Sequence, residues 1–363
     1  MKRTVLINGR FLGQPVTGVQ RYAREVLSVM GAMPDNPFHL VLACPNRPKG
    51  ESFGNVEILN DASPLPGAMW QQIRLPWIIQ KTKADLLWSP CNIGPLFAEN
   101  HVVTIHDASV FAHPECFSPL FRAYYRAAWK SLGRRARLII TDSNFSKNEL
   151  IRYRIAKPEK IRVVYAGHRE MDASAKPQPI VDGPYVLTVG SRDPRKNLGR
   201  LLQAWEKLGT SKKNRRLIVA GGGAASFSSE KIGKVPSDVV FTGHVPDEKL
   251  AALYAGADAF LFPSLYEGFG MPPLEAMSSG IPVAVSDIPV LREMCGNAAV
   301  YVNPTDPDDI RHGLHEILSD TDLRRRLVEK GRAQVGSFTW DKTAAGILNT
   351  FREILNEGEN KRT

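Results

Sequence analysis

Apolar residues fall into short runs that recur along the chain in two rounds. In the first round, Thr4 to Asn8, Leu40 to Ala43, Leu86 to Ser89, Val102 to His106, Leu138 to Asp142 and Ile161 to Val164 are β-branched runs separated by stretches of helical spacing. Strands buried on both faces lack polar alternation, and intervening helices are the crossovers that a parallel sheet requires. The rhythm lapses over 171–183, where Pro177 and Pro179 sit in a segment without periodicity. It restarts with Tyr185 to Val189, Arg216 to Ala220, Val239 to Thr242, Ala259 to Phe262, Pro282 to Val285 and Ala299 to Val302. The pattern predicts an α/β protein with two Rossmann-like, doubly wound domains, 1–170 and 184–338. Segment 171–183 reads either as their linker or as a long surface loop. A last helical segment, 339–363, opens at Thr339 as N-cap and puts Ile347, Leu348, Phe351, Ile354 and Leu355 on one face. That face needs an apolar surface, and the segment is expected to cross back towards the first domain.

Composition agrees with this architecture. The chain has 363 residues, 43% hydrophobic and 23% charged, enough for two cores. Cys44, Cys91, Cys116 and Cys295 form no Cys-x-x-Cys pair and have no companion His spacing, which argues against a zinc site and a secreted disulfide framework and favours the cytoplasm. Lys2 and Arg3 precede only Val5-Leu6-Ile7, too short for a signal peptide, and nowhere do about 18 apolar residues run unbroken.

The formal charge of +10 lies entirely in one half: residues 1–170 hold 23 Lys and Arg against 13 Asp and Glu, and the remainder is balanced. Part of the excess is a stripe of Arg122, Arg126, Lys130 and Arg134 at four-residue spacing, interleaved with Phe121, Tyr124, Tyr125 and Trp129. Two readings are open. The stripe is an interfacial helix for an anionic membrane surface, or a solvated face whose aromatics are buried. No nucleic-acid recognition motif accompanies the charge.

The densest candidate chemistry is Pro263-Ser-Leu-Tyr-Glu-Gly-Phe-Gly-Met-Pro-Pro-Leu-Glu-Ala-Met-Ser-Ser-Gly280, between a strand and a helix primed by Pro272 and Pro273. Gly268 and Gly270 let backbone amides approach a ligand, and carboxylates at Glu267 and Glu275 can accept hydrogen bonds from vicinal hydroxyls. Arg192 and Lys196, at the exit of a strand, can neutralise a diphosphate. Gly221-Gly-Gly223 reads as a turn, and Asp306-Pro-Asp-Asp309 as a helix N-cap cluster, not a metal motif. Gly9, Gly13 and Gly18 lack the Gly-x-Gly-x-x-Gly spacing of dinucleotide sites.

With Thr17-Gly18-Val-Gln-Arg-Tyr22, Thr104-Ile-His-Asp-Ala108, Thr141-Asp-Ser143, Val189-Gly-Ser-Arg-Asp-Pro-Arg-Lys-Asn-Leu198 and Phe241-Thr-Gly-His-Val-Pro246 in order, the chain resembles the Glu-x7-Glu retaining glycosyltransferases of family four. The resemblance covers nearly the whole chain. It implies a GT-B fold, two domains facing across a cleft, with the first as acceptor domain and the second binding a nucleotide sugar. It further implies that Arg192 and Lys196 hold the donor diphosphate, Glu275 the ribose, and Glu267 with the amides of Gly268, Phe269, Gly270 and Met271 the transferred sugar. Val245 stands where the family's backbone meets the base, Gly18 where it faces the diphosphate, and His106 where it meets the sugar, with Asp107 as that histidine's orienting partner or a helix cap. Family members commonly have two adjacent glycines where this chain has Thr17-Gly18. The expected reaction is metal-independent and needs no bound cofactor. It moves a hexose, first choice mannose from GDP-mannose ahead of dTDP-rhamnose and UDP-glucose, to a lipid-linked glycan as in bacterial O-antigen and exopolysaccharide synthesis. A nucleotide-sugar epimerase on the same fold and a non-catalytic nucleotide-sugar-binding protein are the alternatives.

Overall fold

The computed structural model describes residues 2–46, 48, 50–169, 182–222 and 235–360, with side chains to 357. Two compact units emerge: one comprises Met1–Ala108, Ala123–Gly167 and Trp340–Thr363, the other Ser109–Arg122 and His168–Thr339. Most of the 171–183 linker lies outside the described residues.

In the first unit, β1 (Arg3–Asn8), β2 (Phe38–Cys44), β3 (Glu57–Asn60), β4 (Leu86–Ser89), β5 (His101–Thr104), β6 (Leu138–Thr141) and β7 (Ile161–Val163) form one parallel sheet ordered β3-β2-β1-β4-β5-β6-β7. Val5, Leu6 and Ile7 have no exposed surface because helices cover both faces. Register pairs Val5 with both Leu40 and Leu86. The order reverses between β1 and β4, so the loops leaving these strands part and open a crevice at their carboxyl ends. Above it, α1 (Gly18–Ala32) is capped by Thr17, whose backbone N–H donates to Gln20 Oε1 at 3.1 Å, and it buries Tyr22, Val26, Leu27 and Met30. The crossover α2 (Gly67–Thr82) follows β3. Neither β3 nor α2 stood out in the sequence, because β3 is a four-residue edge strand and α2 contains Pro76.

The segment after β5 leaves this unit. α3 (Ser109–Ala112) and the first turn of α4 (Pro119–Arg135) cluster with the second unit, and the rest of α4 with the first. Trp129 of α4 is buried and donates from Nε1 to the Asn92 carbonyl at 2.8 Å. Phe121 and Tyr125 are half-buried, and only Tyr124 of the interleaved aromatics is exposed. Of the basic stripe, Lys130 and Arg134 are exposed while Arg122 and Arg126 are half-buried. α5 (Asn144–Arg152) is capped by Ser143, whose hydroxyl accepts from Ser146 N.

The second unit carries β8 (Tyr185–Val189), β9 (Arg216–Ala220), β10 (Val239–Gly243), β11 (Ala259–Phe262), β12 (Val283–Ser286) and β13 (Ala299–Val302), all parallel and ordered β10-β9-β8-β11-β12-β13. Its reversal lies between β8 and β11. α6 (Leu198–Lys207) drives Leu201, Leu202 and Trp205 into a core shared with Ile310, Leu314 and Ile317 of α10 (Pro307–Ser319). α7 (Asp247–Ala255), α8 (Met271–Ser278), α9 (Pro289–Cys295) and α11 (Thr321–Val335) complete it. Asp306 caps α10 by accepting from Asp308 N. Finally α12 (Trp340–Asn360) packs in the first unit, with Phe351 edge-on to Trp88 and Phe38, so its apolar face closes that core.

Candidate active site

In the second unit, the loops leaving β8 and β11 meet at the switch point. Asp193 and Asn197 shape the first of them. The Asp193 carboxylate caps the Pro194–Lys196 turn and forks onto the Arg195 guanidinium, with Nε at 2.9 Å. Asn197, in the left-handed region at φ +60°, donates from Nδ2 to the carbonyls of Pro263 and Pro304 at 2.9 and 2.6 Å. This tie fixes the two loops to each other, and it presents Lys196 Nζ to Glu267 Oε1 at 2.6 Å and over the Phe262 ring at 5.0 Å. Arg192 lies more openly, its guanidinium 5.3 Å from the centre of the Phe241 ring. Gly221 packs against Gly190 so closely that a Cβ there would come within 2.0 Å of the Gly190 carbonyl oxygen, and its φ is +140°.

Past Glu267, Gly270 takes φ +109° and starts α8. Pro272 and Pro273 bring no N–H, so the donors at this helix start are restricted to the loop amides through Met271 and that of Leu274. Glu275 is buried one turn further on and accepts from the Tyr254 hydroxyl at 2.9 Å. Burial, then the charge and hydrogen bond of Glu275, hold the Tyr254 pKa well above its ordinary value, so the phenol stays a donor. Ser264 Oγ, fully buried, has no partner among the described residues. Val245 is half-buried in the turn between β10 and α7.

The first unit holds the other two candidates. Gly18 is the exposed first residue of α1, and Tyr22 one turn along packs edge-on to His106 at 4.7 Å. His106 stands two residues beyond the end of β5. Its Nδ1 meets Asp142 Oδ2 at 2.6 Å and its Nε2 the Pro90 carbonyl at 3.0 Å, while its backbone N–H donates to Asn92 Oδ1 at 2.9 Å. Burial disfavours the imidazolium, but the charge and hydrogen bond of Asp142, helped by Pro90, outweigh it and raise the pKa. Asp142 orients this ring, and Asp107 contributes only a weak field. Both ring nitrogens are thus engaged within the protein.

These features can hold a diphosphate, a sugar and a ribose. A family model described as glycosyltransferase family 4 matches residues 16–169, and one described as glycosyl transferases group 1 matches residues 170–334. The chain belongs to glycosyltransferase family four. The O-antigen chain mannosyltransferase B of Escherichia coli is 28% identical over 93% of this chain and 96% of its own. The O-antigen chain mannosyltransferase RfbU of Salmonella typhimurium is 33% identical over 57% of this chain and 58% of its own. Among solved structures, the sucrose-phosphate synthase of Thermosynechococcus elongatus superposes with a TM-score of 0.76 at 20% identity, covering 98% of this chain and all of that one. This transferase has the α/β GT-B fold and depends on a nucleotide sugar.

Within the transferase, Lys196 and Glu267 are in direct contact, and Glu275 lies in the helix that follows the same loop. Sequence reasoning missed the residues that support them. Asp193 and Asn197 set the loop, Tyr254 orients Glu275, and Ser264 borders the same pocket as Arg192 and Lys196. Asp193-Pro194, between Arg192 and Lys196, is a legible capping signal for the first of these. Tyr254 gave none, because its partner lies 21 residues away.

Proposed function

We propose that the transferase moves mannose from GDP-mannose to a hydroxyl of a lipid-linked glycan, with retention of anomeric configuration and without a metal ion. The observation that carries the chemistry is the Lys196–Glu267 pair at the β8/β11 switch point. The bond from C1 to the diphosphate oxygen breaks as the acceptor hydroxyl oxygen bonds C1 on the same face and its proton passes to the departing phosphate. The nucleoside diphosphate leaves as an anion, and fixed cations facing its oxygens lower the barrier most when they need not reorganise. Lys196 and Arg192 are those cations, and the amides of residues 268–271 add dipoles. Glu267, next to Lys196, accepts hydroxyls of the sugar as C1 becomes oxocarbenium-like, and Glu275 accepts from the ribose. His106, with both ring nitrogens engaged, acts as a rigid wall beside the sugar. The E. coli and Salmonella relatives are named as mannosyltransferases of the O-antigen chain, which favours mannose and a glycan acceptor.

The test has two steps. A thermal-shift panel of GDP-mannose, dTDP-rhamnose and UDP-glucose is expected to single out GDP-mannose, since a ligand stabilises the state that binds it. The product is then expected to be an α-mannoside by NMR, formed at an unchanged rate in EDTA. A β-linked product or an EDTA-sensitive rate overturns the mechanism, and selective stabilisation by another nucleotide sugar overturns the donor.

We also infer a workplace at an anionic membrane surface on the cytoplasmic side. Among the described residues no helix is long and apolar enough to cross a membrane. Yet Met69, Ile73 and Trp77 recur every four residues on α2 and are about half exposed. Phe97 is 75% exposed in a loop that hydrogen-bonds Gln72 of α2, and Arg135 of α4 lies over its ring at 4.7 Å. Arg74 and Lys81 flank Trp77 at 4.6 and 5.1 Å. Aromatic and aliphatic tips among cations suit the headgroup region.

A further inference from the structure

The switch point of the first unit carries a site of its own. Where the loops leaving β1 and β4 part, a cavity of about 130 Å³ is walled by Asn8, Arg10, Gln14, Gln20, Gln71 and Asn92. Gln71 is 1% exposed, and its Nε2 has no partner among the described residues. Its orientation is not arbitrary. Asn8 Nδ2 donates to Gln71 Oε1 at 3.1 Å and to Ser89 Oγ at 3.2 Å, and Asn8 Oδ1 accepts from Arg10 N at 3.3 Å. Turning the Gln71 amide over would set two donors against each other, so its NH2 is fixed as the unmet group. A buried donor left unpaired costs free energy, and one bordering a cavity marks where an acceptor atom of a ligand belongs.

We propose that this cavity seats one pyranose ring of the acceptor glycan and that Gln71 donates to one of its oxygens. The space, about that of four water molecules, admits one edge of a pyranose ring with its hydroxyls and is too small for a nucleotide. Among the described residues no carboxylate lines it, and one guanidinium stands among carboxamides that both donate and accept, the inventory that matches vicinal hydroxyls rather than a diphosphate. Arg192, Lys196, Glu267 and Glu275, the charged residues assigned to the donor, lie in the second unit, whereas Gly18, between the wall residues Thr17 and Val19, borders this cavity in the first. Asn92 links the cavity wall to the His106 backbone, so a ring seated here abuts the His106 segment. This inference rests on the reading that the acceptor is a glycan.

Full-length wild type, Gln71→Met and Gln71→Glu are compared with octyl α-mannopyranoside, α-glucopyranoside and α-rhamnopyranoside as probes. Saturation-transfer NMR measures binding, and release of GDP from GDP-mannose without a probe measures the donor side. Wild type is expected to bind at least one glycoside. Gln71→Met is expected to weaken it tenfold or more with donor affinity and GDP release within twofold of wild type, and monodeoxy analogues are expected to identify one hydroxyl whose loss matters to wild type and not to the variant. Gln71→Glu keeps the oxygen that Asn8 needs, so equal weakening there assigns the effect to the lost NH2. Binding of no glycoside by wild type, unchanged binding by both variants, or parallel loss of donor and glycoside overturns the proposal. Gln71-dependent binding with no turnover of any donor leaves the ring site standing and overturns the transfer reading instead.

Discussion

At the scale of single residues, the two carboxylates of the proposed site have different surroundings. Glu267 is paired with Lys196, whereas Glu275 is buried and held by the neutral phenol of Tyr254. Glu267→Ala is therefore expected to lower kcat with little change in donor affinity, and Glu275→Ala to weaken donor binding, with Tyr254→Phe a milder copy of the latter. Titration of donor binding by calorimetry beside steady-state kinetics separates them, and identical profiles for the two glutamates refute the division. Lys196→Ala is expected to cost about 2–4 kcal/mol in kcat/KM, the size of losing a positioned charge partner in an active site. Arg192, more exposed and stacked on Phe241, is expected to cost less, and a larger loss at Arg192 contradicts this ranking. Most of these residues could be read from the sequence because they cluster in a few segments. Their supports could not, since Tyr254 with Glu275, or Asn197 with Pro304, meet only through the fold.

Elements were legible where burial is two-sided. The strands named from apolar runs form within about two residues of their expected ends, while β3, half-exposed at an edge, carries too little apolar signal. β5 was expected to run to His106 but ends at Thr104, because the chain there turns to hand its backbone to Asn92. The same strand carries His101, buried in the sheet beside Ser89, with its pKa pushed down to about 3 by desolvation. The two histidines therefore act oppositely on stability. A folded pKa below the unfolded value near 6.5 means that His101 stabilises least in acid, its contribution falling as pH drops from about 6.5 towards 3. A raised pKa gives His106 a contribution present below about 6.5 and lost as pH rises through its folded value. Melting temperatures from pH 4.5 to 8.5 are expected to fall less steeply on the acid side in His101→Gln, and less on the alkaline side in His106→Gln. Parallel curves for wild type and both variants refute the assignment.

For the molecule as a whole, the proposed membrane surface would meet both the charge excess of the first half and the exposed apolar tips on α2 and at Phe97. Wild type is expected to co-sediment with phosphatidylglycerol vesicles and to be released only in part by salt, each exposed basic residue contributing about 1 kcal/mol near such a surface. Replacing Lys130 and Arg134 by Glu is expected to abolish sedimentation at low salt, and Trp77→Ser with Phe97→Ser to make it fully salt-reversible. Equal binding by all three proteins sinks the assignment. The division into 1–170 and 184–338, natural from the sequence, also meets an exception in Ser109–Arg122. There Phe117 lies 5.3 Å from the Arg195 guanidinium and His113 packs edge-on to Tyr266, the neighbour of Glu267. Inheritance is constrained by that loan. A recombinant that joins one relative's first half to another's second half at residue 170 separates these pairs, so functional mosaics should keep 109–122 with the later half or carry matched changes on both sides. The unit of exchange in this enzyme is thus not a contiguous length of gene.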